Sequence, residues 1–263
     1  MSSLPSVSRV AQAFSQAAEH YDQVAGLQRQ VADHLLKHCH TQLNGVVMDL
    51  GCGTGYVAKH LAQLTPVTSV LGIDIAPGMI DWCRQHIAYP HCQWMVADAQ
   101  ALPVADNSID NVVSSLAIQW CANERALFDN TSRVLKPGGH FFATTLGPQT
   151  LHELRWAWQQ VDTYQHVNEF VPQADILAAL QVCFAEVQVE VHTITLWFDK
   201  VSEILRELKQ LGASNHNMGA RHGLTTRGHL RQMTAAYETL RNTEGKLPVS
   251  YQVFTISARN KAN

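Results

Sequence analysis

A glycine-rich segment with residue types suited to binding a small cofactor follows an apolar run near the start of the chain. Residues 46–55 have the sequence VVMDLGCGTG, in which Asp49 precedes glycines at positions 51, 53 and 55. Glycines let the backbone turn tightly and approach a ligand, and open α/β sheets bind ligands where their strands end. Tyr56 stands where a dinucleotide fingerprint would have its third glycine. The segment favours a nucleotide-like cofactor with a small aminoacyl tail over a pyrophosphate, and a purely structural turn is the alternative.

Two more carboxylates follow apolar runs, where they would bind the rest of such a cofactor. Asp74 is expected to accept hydrogen bonds from both hydroxyls of a ribose, since an acidic residue about 20 positions past a glycine turn has this role in nucleotide-binding sheets. A helix cap is the alternative for an aspartate at a strand end. Asp98 and Ala99 are expected to bind an adenine ring. Met79 would lie against that ring, unless it is a core residue.

The alternation of short apolar runs and helical stretches predicts the elements that would position these residues. Strands are expected at 46–50, 68–73, 93–96, 110–116, 139–146, 185–198 and 249–258. Helices are expected at 55–64, 77–88, 122–134, 151–161 and 172–182. Strands that alternate with helices form a doubly wound sheet. We therefore predict an α/β fold with a mostly parallel, seven-stranded sheet.

Helical segments precede and interrupt this expected sheet. Apolar residues at helical spacing predict one or two amphipathic helices in an N-terminal flap over 1–44. Residues 45–198 and 247–263 would form the cofactor-binding domain. Residues 199–246 would form a helical insertion before the last strand, because about fifty residues far exceed the needs of a hairpin. The insertion has eight Lys or Arg and five acidic residues, which favours a functional lid over a decorative bundle.

Composition narrows the class of protein. The 263 residues are 46% hydrophobic and 16% charged, as in a packed globular enzyme, and the formal charge of -3 argues against a dedicated nucleic-acid-binding protein. We see no signal peptide and no apolar run of the roughly 18–20 residues that a membrane span needs, so a cytoplasmic protein without a membrane partner is expected. The six cysteines form no Cys-x-x-Cys pair and the fourteen histidines no complete ligand set, so no metal is expected.

Four motifs, in order and spacing, resemble those of the class I S-adenosylmethionine methyltransferases. They are the glycine turn at 49–55, Asp74, the segment 97–99 followed by LP at 102–103, and RVLKPGG at 133–139. The resemblance implies a Rossmann-like fold and S-adenosylmethionine as methyl donor. It implies a donor site formed, from the methionine end through the ribose to the adenine, by Asp49, Gly51, Gly53, Gly55, Asp74, Met79, Asp98, Ala99 and Leu116.

Stretches outside these motifs resemble the malonyl-acyl-carrier-protein O-methyltransferases of biotin synthesis. They include LQR at 27–29, SLAIQW at 115–120, HVNEF at 166–170 and TLWFD at 195–199. The resemblance implies methylation of the free carboxylate of malonyl-acyl carrier protein or malonyl-coenzyme A. The product would be a methyl ester that primes pimeloyl synthesis for biotin. Since a carboxylate is ionised at pH 7, this reaction needs no general base.

What such a transfer needs is alignment of the acceptor and exclusion of water. The candidates for these roles are Tyr21 on the flap, Arg29 on the next helix, and Gln119 with Trp120 after the fourth strand. A solvated surface charge is the alternative for Arg29, and a core position is the alternative for Trp120.

An acidic carrier protein would complement the positive insertion over 199–246. The candidates for a docking face are Arg206, Lys209, Arg221, Arg227 and Arg231. A solvated helical face is the alternative.

Two other functions fit the same motifs. A methyltransferase of a small molecule or quinone would need a nearby His or Asp to deprotonate its acceptor. Val104 and Ile109 stand where the quinone-methylating subgroup commonly has Phe, which argues against that subgroup. A non-catalytic S-adenosylmethionine-binding module would keep the donor motifs without turnover.

Overall fold

The computed structural model describes residues 7–210 and 226–262, which form a seven-stranded sheet with helices on both faces. The strands are β1 (Gly45–Leu50), β2 (Val67–Asp74), β3 (Cys92–Val96), β4 (Ile109–Ser115), β5 (Leu135–Leu146), β6 (Phe184–Phe198) and β7 (Leu247–Asn260). The helices are α1 (Val7–Val24), α2 (Gly26–Cys39), α3 (Tyr56–Leu61), α4 (Pro77–His86), α5 (Glu124–Val134), α6 (His152–Gln159), α7 (Gln173–Cys183), α8 (Val201–Gln210) and α9 (Arg227–Glu238). A short 3₁₀ helix, Ile118–Trp120, follows β4.

The strand order is β3-β2-β1-β4-β5-β7-β6. Strands β1 to β5 pair in parallel, whereas β7 runs antiparallel between β5 and β6. The predicted α/β fold with a mostly parallel seven-stranded sheet is therefore confirmed, as are helices before the last strand. The order reverses between β1 and β4, and a sheet of this kind leaves a crevice beyond the carboxyl ends of its strands at that point.

Apolar side chains alternate between the two faces of the sheet. Met48 and Phe141 face a core covered by α5 and α7, whereas their neighbours Val47 and Phe142 face a core covered by α2 and α3. Successive residues of a strand point to opposite faces, so strands that are buried on both faces are continuously apolar. Burial of each phenylalanine contributes about 2–3 kcal/mol of transfer free energy. The two cores hold the carboxyl ends of β1 and β4 in place.

A third core lies between the strands β6 and β7 and four helices. It contains Leu27 of α2, Leu154 of α6, Ile204 of α8 and Tyr237 of α9, all packed with residues of β7. The expected helical patterns before the last strand correspond to α8 and α9, and the polar stretch 212–223 between them lies outside the described residues. The division into a flap, a cofactor-binding domain and a lid stays a prediction.

The largest differences from the expected boundaries are in α3 and β5. The helix predicted at 55–64 begins at Tyr56, because Gly55 has the left-handed φ of +81°, and it ends at Leu61. The strand predicted at 139–146 begins at Leu135, and an irregularity in its pairing with β4 accommodates Gly138 at φ +74°. Within the part of the chain that the structure describes, no helix has both the length and the apolar character needed to cross a lipid bilayer.

Candidate functional site

The glycine turn forms a cradle at the end of β1. Gly51, Gly53 and Gly55 have φ of +76°, +53° and +81°, in the region that favours glycine. A Cβ atom on Gly51 would lie 2.3 Å from the Cβ of Ala117. On Gly53 it would have no neighbour within 4 Å, so the missing side chain leaves open space beside the turn. The backbone of the turn is therefore accessible to a ligand, and a side chain in this space would block that ligand.

Gly55 differs from the other two glycines, and its expected contact with the cofactor stays a prediction. A Cβ on Gly55 would lie 2.3 Å from Ile87 Cδ1, and 3.1 Å from both Cys83 Sγ and the Trp94 ring. Gly55 is buried beneath the turn and lines none of the cavities described below, whereas Gly51 and Gly53 do. Its role is to supply the positive φ from which α3 begins.

Asp74 lies beside the turn at the end of β2. Its Oδ2 accepts a hydrogen bond from the N–H of Gly53 at 2.9 Å, and its Oδ1 accepts one from Ala76 at 2.8 Å. Burial raises the pKa of Asp74, and these N–H donors oppose the rise. Ala76 is the N-cap residue of α4, so the helix-cap alternative is only partly right, because Asp74 bonds no N–H inside the helix. The carboxylate fixes two turns and still borders a cleft.

That cleft, called here the cofactor cleft, contains about 850 Å³ of space, part of which is open to solvent. Gly51, Gly53 and Asp74 line one part of it, and Asp98 with Ala99, which follow β3, line another. Asp98 is half-buried and accepts a hydrogen bond from the N–H of Gln100 at 2.8 Å. The structure thus brings the predicted residues from the ends of three strands to one cleft.

Met79 and Leu116 complete the set of expected cofactor residues. Met79 is 1% exposed and lines the cleft while it packs against Ala18 and Ala76, so it is both a core and a cleft residue. Leu116 directly follows β4 and has a φ of +50°, which is unusual for a residue other than glycine. Its N–H donates to the carbonyl of Thr144 at 3.1 Å, and this bond helps to hold the unfavourable conformation.

Helix α1 covers the cofactor cleft. Val10, Phe14 and Tyr21 line it from this side. The N–H of Gly78 donates to Ser15 Oγ at 3.2 Å, and a Cβ on Gly78 would lie 2.7 Å from the Ser15 carbonyl oxygen, so α1 approaches the start of α4 closely. The expected flap therefore contributes residues to the cleft.

A second cavity of about 1590 Å³ adjoins the cofactor cleft. The two share Phe14, Tyr21, Leu116 and Trp120, and the rings of Phe14 and Trp120 meet edge to face at 5.4 Å. The remaining residues come from α2, α6, α8, β7, the end of β5 with the turn that follows it, the 3₁₀ helix and the segment 166–170. Most of its lining is apolar, as is common in sites for organic ligands.

A third, smaller cavity of about 470 Å³, the turn cavity, lies between α2 and the glycine turn. Asp49, Gly51 and Gly53 line it from the turn, and Gln28 with Arg29 line it from α2. It therefore presents a buried carboxyl, an amide and a guanidinium to the same small space.

The buried carboxyl of Asp49 should make stability depend on pH. Burial raises the pKa of Asp49 to about 7, although the N–H of Ala58 donates to it at 2.8 Å. Because this exceeds the ordinary value of about 3.9, the folded state binds the proton more tightly, and stability falls as pH rises between about 4 and 7. In Asp49→Asn the amide keeps an acceptor for Ala58 and removes the titration. Urea unfolding should show that the free energy of unfolding falls more between pH 5 and pH 8 in the wild type than in the variant. Equal decreases in the two proteins would contradict this account.

The four residues expected to hold an acceptor line different cavities. Tyr21 lines all three cavities, Trp120 lines the cofactor cleft and the second cavity, and Gln119 lines the second cavity. The Gln119 amide donates to the Leu116 carbonyl at 2.8 Å and accepts from the Thr145 hydroxyl at 3.2 Å.

Arg29 does not line the second cavity, and its expected contact with the acceptor stays a prediction. It lies in the wall of the turn cavity with its guanidinium carbon 5.7 Å from the centre of the Tyr56 ring. Side chains of adjacent helical residues point in different directions, so α2 turns Gln28 towards the second cavity and Arg29 away from it.

Sequence reasoning assigned no role to several residues of the second cavity. His166 donates from its Nε2–H to Asp162 Oδ1 at 2.8 Å, and its ring stacks on Trp158 at 3.8 Å. Asn168 and Phe170 follow in the same wall. The only sequence feature that pointed to them is the HVNEF segment at 166–170, because no motif chemistry distinguishes them.

The histidines in the second half of α2 contact other protein groups. His38 Nε2 lies 2.8 Å from Ser257 Oγ, and the His34 ring lies 4.5 Å from that of His192. Among residues 7–210 and 226–262, no cluster of three or more His, Cys, Asp or Glu side chains could hold a metal ion.

Known proteins match this chain over most of its length. Residues 48–143 match the family described as a methyltransferase domain. The chain is 40% identical to the malonyl-[acyl-carrier protein] O-methyltransferase of Nitrosospira multiformis, over 93% of this chain and 86% of that protein. It is 45% identical to the biotin biosynthesis bifunctional protein BioHC of Cellvibrio japonicus, over 94% of this chain and 49% of that protein. The chain thus spans about half the length of the bifunctional relatives it matches.

Solved structures share the fold at low identity. The YcgJ protein from Bacillus subtilis is 15% identical, with a TM-score of 0.64 over 89% of this chain and 100% of that one. The [4+2]-cyclase SpnF is 16% identical, with a TM-score of 0.62 over 99% of this chain and 98% of that one. These likenesses concern the fold, which hosts more than one reaction.

Proposed function

This chain belongs to the malonyl-[acyl-carrier protein] O-methyltransferase family, and from that premise we propose that it transfers the methyl group of S-adenosylmethionine to the free carboxylate of a malonyl thioester. The observation that carries the proposal is the boundary shared by the cofactor cleft and the second cavity. A donor in the cleft and an acceptor in the second cavity would meet at Phe14, Tyr21, Leu116 and Trp120. The second cavity is called the acceptor cavity from here on.

The residues of the cofactor cleft fit this donor. The open space beside Gly53 and the positive φ angles of the turn suit a close backbone approach to the donor's methionine end. Asp74 would accept hydrogen bonds from the ribose hydroxyls, and Asp98 with Ala99 would border the adenine. Bound S-adenosylmethionine supplies a methyl group activated by its sulfonium charge.

The turn cavity suits the amino-acid tail of the donor. Asp49 and Arg29 line it together, so a negative and a positive group would face a zwitterion. Asp49 would attract the ammonium group and Arg29 the carboxylate. This assignment gives Arg29 a role at the donor, in place of the expected role at the acceptor.

Charge neutralisation explains why an apolar boundary would speed the transfer. A carboxylate oxygen of the acceptor forms a bond to the methyl carbon, the carbon–sulfur bond breaks, and its electron pair goes to sulfur. The products are a methyl ester and S-adenosylhomocysteine. The reaction neutralises the negative carboxylate and the positive sulfonium. Water stabilises these separate charges in the reactants, so Phe14, Leu116 and Trp120 would favour the reaction by excluding water. The acceptor carboxylate is ionised at pH 7, so no side chain has to remove a proton.

The product would serve biotin synthesis, as the names of the relatives indicate for those proteins. Esterification removes the charge of the malonyl group, so the methyl ester could enter chain elongation as an apolar primer. Malonyl-acyl carrier protein is the proposed substrate, with malonyl-coenzyme A as the alternative thioester.

Exposed cations lie on α8 and α9, and they would dock an acidic carrier protein. Arg206 and Lys209 are exposed on α8, and Arg227 and Arg231 are exposed on α9. Lys209 also lines the acceptor cavity, so a carrier bound there could extend its thioester arm inward. Arg221, the fifth expected docking residue, lies outside the described residues.

Charge reversal at Lys209 tests the docking surface. Lys209→Glu should raise KM for malonyl-acyl carrier protein about tenfold and leave kcat within about twofold, because attraction becomes repulsion. KM for malonyl-pantetheine, which lacks the carrier, should change less. Lys37→Glu is the matched control, since Lys37 is exposed on α2 and lines none of the three cavities. An unchanged KM for the carrier substrate in Lys209→Glu would contradict docking at α8.

A labelling assay tests the reaction itself. The protein would be incubated with methyl-labelled S-adenosylmethionine and either malonyl- or acetyl-acyl carrier protein. Label on the malonyl species alone, released by mild alkali as expected for a methyl ester, would support carboxyl methylation. Label on neither species would contradict the proposal.

One observation favours a second candidate, a small-molecule methyltransferase. His166 borders the acceptor cavity and pairs with Asp162, so the pair has the composition of a general base. A phenolic or enolic acceptor would need such a base. Alkali-stable label on a small-molecule acceptor, with none on malonyl thioesters, would favour this alternative.

A further inference from the structure

Gln28 is a polar residue of the acceptor cavity to which no role has been given. It lies on α2, and its side-chain oxygen is buried with no hydrogen-bond partner among the residues that the structure describes. Of the described residues that line the cofactor cleft, the turn cavity or the acceptor cavity, Gln28 alone has such an atom. An unsatisfied buried amide oxygen is unfavourable, so its presence in a cavity wall needs a functional reason.

The location of Gln28 supplies that reason. It lines the acceptor cavity and also the turn cavity, where it faces the same space as Gly51 and Gly53. Tyr21 is the other residue with this double position. An acceptor whose carboxylate reaches the donor's methyl group must come to this junction. We propose that the Gln28 side-chain amide binds the acceptor carboxylate and orients it for attack, an inference that rests on the proposed function.

Other polar groups of the acceptor cavity are less suited to this contact. Gln119 already donates to Leu116 and accepts from Thr145. The hydroxyl of Thr150 donates to the Gln252 carbonyl and accepts from its N–H, both at 3.2 Å. Burial, with the nearby Glu153 and Glu207, raises the pKa of Tyr251, and that negative surrounding opposes an anion there. Each of these three lines the acceptor cavity without reaching the turn cavity.

An amide also has the chemistry that the reaction requires. Its NH₂ group can donate to one carboxylate oxygen and leave the other free to attack. Because the amide is neutral, it would orient the carboxylate without forming a strong ion pair. Arg or Lys would form such a pair, and that pair would weaken the carboxylate as a nucleophile. The amide oxygen has no partner to hold it, so rotation of the amide would bring the NH₂ group to the ligand without breaking a bond at that oxygen.

Substitutions at Gln28 test the proposal with a control on the same helix. Gln28→Leu removes the donor, and Gln28→Glu replaces it by a like charge in nearly the same volume. Gln30→Leu is the control, because Gln30 is exposed and lines none of the three cavities. Initial rates with malonyl-acyl carrier protein, calorimetric Kd values for S-adenosylhomocysteine and thermal unfolding would be measured for all four proteins.

We expect Gln28→Leu to lower kcat/KM for the malonyl substrate about 10- to 100-fold, as for loss of a hydrogen bond to a charged group. Gln28→Glu should lower kcat/KM further. In both variants, Kd for S-adenosylhomocysteine should stay within about threefold of the wild-type value. A kcat/KM within twofold of the wild type in Gln28→Leu, or in Gln28→Glu if the leucine variant does not fold, would overturn the proposal. So would a rise in Kd that matches the loss of kcat/KM. A wild type that methylates no malonyl thioester would instead overturn the proposed function, and this inference with it.

Discussion

Asp74→Ala is expected to lower the affinity for S-adenosylmethionine about 100-fold or more. The carboxylate accepts hydrogen bonds from Gly53 and Ala76, so its removal releases the glycine turn as well as the contact with the ribose. Loss of the two proposed hydrogen bonds from the ribose hydroxyls to this charged group, at about 1.5 kcal/mol or more each, accounts for a change in affinity of this size. Asp74→Asn should lose less, because its amide oxygen can still accept one of the two N–H groups.

Calorimetric titration with S-adenosylmethionine measures this effect, and urea unfolding separates it from a loss of stability. Asp81→Ala is the control, since Asp81 is an exposed residue of α4 that pairs only with Arg84 at the surface. It should bind the donor as the wild type does. A Kd for Asp74→Ala within about threefold of the wild type would show that Asp74 does not hold the donor.

Tyr21→Ala is expected to lower kcat/KM about 100-fold through loss of alignment at the junction of the cavities. Tyr21 lines the cofactor cleft, the turn cavity and the acceptor cavity, and its ring lies 6.2 Å from that of Phe14. Removal of the ring would join these spaces and admit water to the reacting groups, and a misplacement of about 1 Å is enough to cost roughly 100-fold. Tyr21→Phe keeps the ring, so it should retain most of the activity unless the hydroxyl binds the acceptor.

The two Tyr21 variants separate shape from hydrogen bonding. Steady-state kinetics with malonyl-acyl carrier protein would be compared with those of Tyr164→Ala, a variant of a tyrosine that is 53% exposed and lines none of the three cavities. Equal, large losses in both Tyr21 variants would assign the effect to the hydroxyl. A loss below about threefold in Tyr21→Ala would remove Tyr21 from the account.

The centre of the sheet was predictable from the sequence because β1, β4 and β5 are mostly buried. Residues 46–50 are apolar except for Asp49, and the glycines that follow take φ values that other residues avoid. Local residue type therefore identifies both the strand and the turn. The same locality explains why Asp49 and Asp74, which end neighbouring strands, were expected in one site.

The acceptor cavity was less predictable because it depends on how distant elements pack. Its wall combines α2, α6, α8 and β7, which are separated by long stretches of chain. Arg29 and Gln28 are neighbours in sequence, but the rotation of α2 against the sheet decides which of them meets the acceptor. Helical periodicity predicts which face of α2 is apolar. It does not predict which cavity each polar residue lines. The role of Gln28 therefore became visible only with the structure.

Intact-protein mass spectrometry of the acceptor tests the central claim most directly. Malonyl-acyl carrier protein and acetyl-acyl carrier protein would each be incubated with this protein and S-adenosylmethionine, and the thioester arm would be fragmented to locate any added mass. We predict one methyl group on the malonyl carboxylate and none on the acetyl species. An unmodified malonyl species, in a sample shown by calorimetry to bind S-adenosylmethionine, would contradict the claim.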